Sequence, residues 1–252
     1  MTTPALQRAV RNAYDVFGRH QAPNEALNVC TFCCMPEELE REMRTSPLRM
    51  LTAHHFYQYS VGAMGDLVQP AAEVRYLLPR WLELLASGEE THHSIELTFD
   101  RVGSCPAGSL TAGEVGVLEE FMLALFDHHL DGPGSGGADP LSLLIMADVG
   151  GLAVQPLLRR WLEHPGPEST AQFVWSTYWD FWPEHKLASA FAERRANLQD
   201  VFKDWVLSPA TKEAFMAKLV NPQVLAHGEQ THGRQRVPFA LMVDAVFDQL
   251  SP

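Results

Sequence analysis

The chain has 252 residues, 46% of them hydrophobic and 20% charged, a composition that supports a folded core and excludes a disordered chain. Its 31 acidic against 19 basic residues give a formal net charge of −12. That excess excludes nonspecific binding to nucleic acid or an anionic membrane, whose phosphates it would repel, and suits a basic protein partner.

No stretch approaches the roughly 18 apolar residues of a membrane helix, and the start Met1-Thr2-Thr3-Pro4 lacks the basic and apolar segments of a secretory signal. A soluble, cytoplasmic protein with reduced thiols is therefore expected. Leucine and alanine dominate the apolar residues, only two isoleucines occur, and strict apolar/polar alternation is missing. Helical spacing recurs instead. It predicts an all-α protein, a helical bundle or short stack of helix pairs with about ten to twelve helices.

In chain order, Cys30-Thr31-Phe32-Cys33-Cys34 comes first and runs straight into a helix start, Met35-Pro36-Glu37-Glu38. Ser46-Pro47 places a cap residue before a proline at a first helical position, and Thr52 caps a helix expected to run through Phe56, Ala63 and Leu67. Thr111-Ala112-Gly113-Glu114 reads as a capping box, opening a helix whose face is Leu118, Phe121, Met122, Leu125 and Phe126. After the Gly-rich stretch 131–138, read as a linker, Asp139-Pro140 and later Ser208-Pro209 repeat the cap-proline pattern.

Two stretches look related. Val68-Gln69-Pro70 leads to Arg80-Trp81-Leu82-Glu83, and Val154-Gln155-Pro156 leads to Arg160-Trp161-Leu162-Glu163. The second copy is shorter between its proline and its arginine, so its helix should lose nearly two turns. A single all-helical domain over 1–252 is expected, with two repeat-like halves, about 1–130 and 139–252, joined by the Gly-rich loop 131–138. Duplication and coincidence both fit a short match in a leucine-rich helical chain.

Three candidate sites stand out. Cys30 and Cys33 supply one short-spaced pair of zinc ligands, Cys34 could replace either, and Cys105 or His54 could complete a tetrahedral set. The same cysteines also read as small apolar packing residues where the N-terminal helix meets the next. An aromatic run, Phe173, Trp175, Tyr178, Trp179, Phe181 and Trp182, covers more of a helix than one packing stripe requires. A helix buried on both sides accounts for it, and so does an exposed partner-binding patch at Trp175, Trp179 and Trp182. The acidic pairs Glu89-Glu90 and Glu119-Glu120 read as solvated helix ends that could also face a cationic partner. The histidine doublets His54-His55, His92-His93 and His128-His129 point apart on a helix and do not chelate as an i, i+4 pair does. There is no GxSxG, P-loop or dinucleotide fingerprint.

The segment Cys30 to Glu38, then Pro47-Leu48-Arg49-Met50-Leu51-Thr52-Ala53 with Tyr59 and Ala63, and Leu77 to Ala86 together resemble a group of small, all-helical, cytosolic bacterial proteins. That group includes immunity proteins of interbacterial toxin systems, particularly type VI secretion effectors. The resemblance covers roughly residues 28–86 and brings no catalytic residue with it. It implies a non-enzymatic immunity protein that binds and neutralises a cognate, basic toxin, a nuclease by preference, as a 1:1 or, through a homodimer, a 2:2 complex, with no cofactor. The alternative from the residues alone is a zinc-binding enzyme or sensor built on Cys30, Cys33 and Cys34. A helical-repeat adaptor is the third reading.

Overall fold

The computed structural model describes residues 2–66, 68–132, 139–232 and 236–251. Among these are thirteen α-helices and no strand. The first seven are α1 (Pro4–Phe17), α2 (Glu37–Thr45), α3 (Ala53–Val61), α4 (Ala71–Ala86), the short α5 (Asp100–Gly103), α6 (Ala112–Leu130) and α7 (Pro140–Val149). The remaining six are α8 (Gln155–Glu163), α9 (Pro167–Asp180), α10 (Ala196–Leu207), α11 (Pro209–Leu219), α12 (Pro222–His232) and α13 (Phe239–Leu250). Short α5 brings the number above the ten to twelve expected. Among the described residues no helix is long and apolar enough to cross a membrane.

The helix starts follow from their caps. Thr3 accepts from the Leu6 amide with Pro4 at the first position, and Ser208 accepts from the Thr211 amide with Pro209 behind it. The Thr111–Glu114 box closes in both directions, at 2.8 Å from the Thr111 amide to Glu114 and 3.3 Å from the Glu114 amide to Thr111. Asp139 accepts from the Ser142 amide at 2.8 Å. Ser46-Pro47 differs: only a 3-10 turn, Leu48–Met50, follows it. Thr52 does start α3, with its amide donating to His55 Nδ1 at 3.1 Å, but the helix stops at Val61, short of Ala63. Gly62 follows it in an extended conformation, at a place where a Cβ would lie 2.5 Å from a methyl of Val29. Leu67 and residues 133–138 of the expected linker lie outside the described residues.

The described residues gather into two compact units, one drawn from 2–128 and 146–153, the other from 129–132, 139–145 and 154–251. In the first, α1 packs along α4. Leu6, Ala9, Ala13 and Phe17 form one buried stripe of α1, and the two alanines let the helix axes approach closely. Trp81 of α4 is fully buried against Phe56 and Tyr59, with its indole N–H on Thr91 at 3.0 Å. Around it runs a polar network. Arg101 donates to the carbonyls of Asn28, Tyr59 and Gly62 and to the Gln69 side chain, which in turn donates to Glu73 at 2.8 Å. Tyr59 also donates to Glu73. Each of these groups is buried and satisfied, which is the condition for carrying charge into a core.

In the second unit α9 packs on α12 and α13, and α11 reaches α8, α9, α10, α12 and α13. Its centre is a stack of rings. Phe173 and Phe215 lie face to face at 3.7 Å, Trp161 lies edge-on to Phe173, and Trp205 stacks on Trp161 at 5.8 Å. Each fully buried ring contributes about 1.5–3 kcal/mol from area alone. Helix α8 is nine residues against sixteen for α4, the two-turn shortening expected from its sequence. Lys218 caps its C-terminal end, donating to the carbonyls of Leu162 and His164 at 2.5 and 2.8 Å.

Candidate functional site

The aromatic run divides at the end of a helix. Helix α9 extends only to Asp180, so Phe181 and Trp182 lie beyond it and do not share its helical arc. Its buried face is Ser169, Thr170, Ala171, Phe173, Val174, Ser176 and Thr177. Trp175 and Tyr178 are half-buried on the other side, and Trp179 is 42% exposed. The expected reading of Trp182 as an exposed anchor needs correction. It is only 7% exposed, its ring edge-on to Phe181 at 5.0 Å in the turn that follows the helix.

Tyr178, Trp179, Trp182 and Pro183, with Ala245 and Gln249 from α13, line an open groove of about 320 Å³. The rings are mutually braced: Tyr178 meets Trp179 edge-on at 4.9 Å, Trp175 meets Trp179 at 6.0 Å, and His232 of α12 stacks on Trp175 at 4.2 Å. Such bracing restricts the rotamers of the exposed indole, lowering the entropy a partner must remove to grip it.

Sequence reasoning missed the second wall. Helix α13 buries Phe239, Met242, Val246 and Leu250. Leu241 lies at i−4 from Ala245 on the groove stripe and is 56% exposed, while Phe247 is 36% exposed. The signal was present: Phe239-Ala-Leu-Met-Val-Asp-Ala-Val-Phe carries more apolar residues than one buried stripe uses. Asp244 and Asp248, both exposed, give this apolar strip a negative border.

Acidic residues of the first unit are separate features. Glu89 and Glu90 are exposed just past the end of α4. Glu119 is half-buried on α6, and Glu120 accepts from Asn12 at 2.6 Å, which occupies part of its capacity.

The cysteines occupy an exposed turn instead of a packed helix junction. Helix α2 starts where expected, after Pro36. Phe32 at the tip of the turn is 98% exposed, Cys33 is exposed, and Cys30 and Cys34 are half-buried. Cys33 Sγ lies 3.7 Å from Cys30 Sγ and 3.5 Å from Cys34 Sγ, and all three sulfurs fall within 4.8 Å of one another. Hydrogen bonds from Cys33, backbone first and then thiol, bring the Cys30 thiol down to about 7. Cys33, placed between Cys34 and Cys30, is pushed up to about 11.

The expected fourth ligand is not brought in. Among the described residues no histidine, carboxylate or further cysteine joins the three. Cys105 is half-buried elsewhere, its thiol on the Arg101 carbonyl at 3.4 Å and pushed up to about 11 by burial. His54 is exposed on α3 and outside the cluster. The His92-His93 doublet stacks ring on ring at 4.3 Å, and burial brings His92 down to about 4. His92 is thereby kept neutral and structural at ordinary pH, with Nδ1 accepting from the Ser94 amide.

Compared with protein-family models, with curated proteins and with solved structures, the chain gave no match.

Proposed function

We propose that this chain is a binding protein that neutralises a basic toxin, an immunity protein of the interbacterial kind with a nuclease as its cognate target. The observation that carries the reading is the braced aromatic groove between α9 and α13. An exposed tryptophan held by neighbouring rings, with an aliphatic strip alongside and aspartates at the border, is the pattern of an interface hot spot with a polar rim. A nuclease binds phosphate through a positively charged surface, which complements a chain of net charge −12 and its exposed Asp244 and Asp248. Glu89 and Glu90, exposed in the first unit, are a separate acidic candidate for a cationic partner.

The test is to co-express the chain with the product of the neighbouring gene and purify the complex. A toxin that kills cells only without this chain is the expected result. In the purified pair, Trp179→Ala should weaken binding about 30-fold, the loss typical of a hot-spot aromatic. Glu89→Lys with Glu90→Lys should slow association and flatten its salt dependence. A neighbouring product that neither binds nor kills overturns the immunity reading. Undiminished affinity in a folded Trp179→Ala protein moves the interface off the groove.

A further inference from the structure

We infer that the turn Cys30-Thr31-Phe32-Cys33-Cys34 is a solvent-open, three-thiolate site for one soft metal ion of the Zn(II), Cd(II) or Cu(I) class. Water or an exogenous ligand fills the position that faces solvent. The inference is independent of toxin binding.

Geometry carries it first. With a zinc–sulfur bond of about 2.3 Å, two sulfurs of a tetrahedral site lie about 3.8 Å apart. The two measured separations, 3.7 and 3.5 Å, are already close to that edge, and the third pair lies within 4.8 Å. One ion can bridge all three with small side-chain rotations, and thiolate donors select soft ions over magnesium or calcium.

The backbone holds the sulfurs there without metal. Buried Val29 and Met35 anchor the two ends of the turn. The Cys30 amide donates to Ala63 O at 2.7 Å, and the Met35 amide closes the turn on Cys30 O at 3.1 Å. Directly upstream, Asn28 is fixed twice over: its amide N–H donates to Glu73 and its carbonyl accepts from Arg101. Gly62 makes room on the inner side, since a Cβ there would crowd Val29 and contact Cys34 Cβ at 3.6 Å. A turn this well anchored loses little entropy when an ion binds, and preorganisation of that kind favours affinity.

The donors within reach set the number of protein ligands. Because no fourth histidine, cysteine or carboxylate joins the group among the described residues, the protein supplies three donors. Binding converts up to three thiols to thiolates and releases their protons to water.

The experiment is titration of the reduced, metal-free full chain with Cd(II) alone under anaerobic conditions, following thiolate-to-cadmium charge-transfer absorption. A band saturating at one equivalent, with the intensity of three thiolates, is the expected result. Cys30→Ser, Cys33→Ser and Cys34→Ser should each weaken Cd(II) binding by about 100-fold, while Cys105→Ser leaves it unchanged. Helical circular dichroism on the same samples identifies any variant that has unfolded. Cys33 is exposed, so its serine variant tests the site without disturbing packing. Absence of a saturable band in the wild-type chain, a band that depends on Cys105, or wild-type affinity in a folded Cys33→Ser protein each overturns the inference.

Discussion

Trp81 and Trp161 sit at matching places in helices that share the Arg-Trp-Leu-Glu sequence, both fully buried, and each indole donates to a residue ten or eight positions further along the chain. Their surroundings have little in common. Around Trp81 the first unit builds a network of buried charge and amide in which Arg101, Gln69, Tyr59 and Glu73 depend on one another. Around Trp161 the second unit stacks Phe173, Phe215 and Trp205, and area does the work. The flanking residues diverge in the same way. Gln69 is buried in the network and Val68 is exposed, whereas Gln155 is exposed and Val154 is buried. Glu83 binds Tyr14 and Arg80, whereas Glu163 faces solvent. Similar sequence therefore secures only the helix and its tryptophan. The neighbours decide whether the core fails abruptly, by orphaned polar groups, or gradually, by lost contact area.

That contrast can be broken most directly at Arg101. Arg101→Ala removes the donor from three carbonyls and the Gln69 side chain at once, and should cost about 3–5 kcal/mol in urea unfolding followed by circular dichroism. In the second unit Phe215→Leu keeps an apolar side chain but loses the ring stack, and should cost about 2 kcal/mol. Equal losses for the two variants would erase the distinction.

The smallest effect concerns acid. Burial alone would raise the Glu114 carboxyl, but hydrogen bonds from the Thr111 amide and from Arg75 outweigh it and hold it below the ordinary value of 4.5. A depressed folded value means the stabilisation is present above 4.5 and is lost as pH falls through the lower folded value. Glu114→Gln should therefore cost about 1–2 kcal/mol at pH 7 and less at pH 3. A gap that does not shrink on acidification would show that the side chain acts through packing instead of charge.

Fold class and most helix starts were legible because they depend on residues a few positions apart; Ser46-Pro47, which opens only a 3-10 turn, was the exception. The Thr111–Glu114 box, the Ser208-Pro209 cap and the shortening of α8 are local consequences of spacing. Arg101 was not legible, since its partners Asn28 and Tyr59 lie 73 and 42 residues away, and nothing local marks an arginine as buried. The groove was half legible. The surplus of aromatic residues on α9 was visible, but its second wall comes from α13, and the end of α9 at Asp180 withdraws Trp182 from the surface. The cysteine cluster was visible as composition, while its position on an open turn depends on Gly62 and Ala63, some thirty residues downstream.

The cap that Lys218 places on α8 has a chemical consequence beyond that helix. The chain has four lysines, Lys186, Lys203, Lys212 and Lys218, and every one belongs to the second unit. Burial lowers the Lys218 ammonium from its ordinary value, and two carbonyls hold its amine in place. Acylating reagents aimed at side-chain amines therefore leave the first unit untouched. Within the second unit, modification at Lys218 requires the amine to leave those carbonyls, so its labelling rate against Lys203, which is exposed on α10, is a built-in clock for opening of the α8–α11 contact.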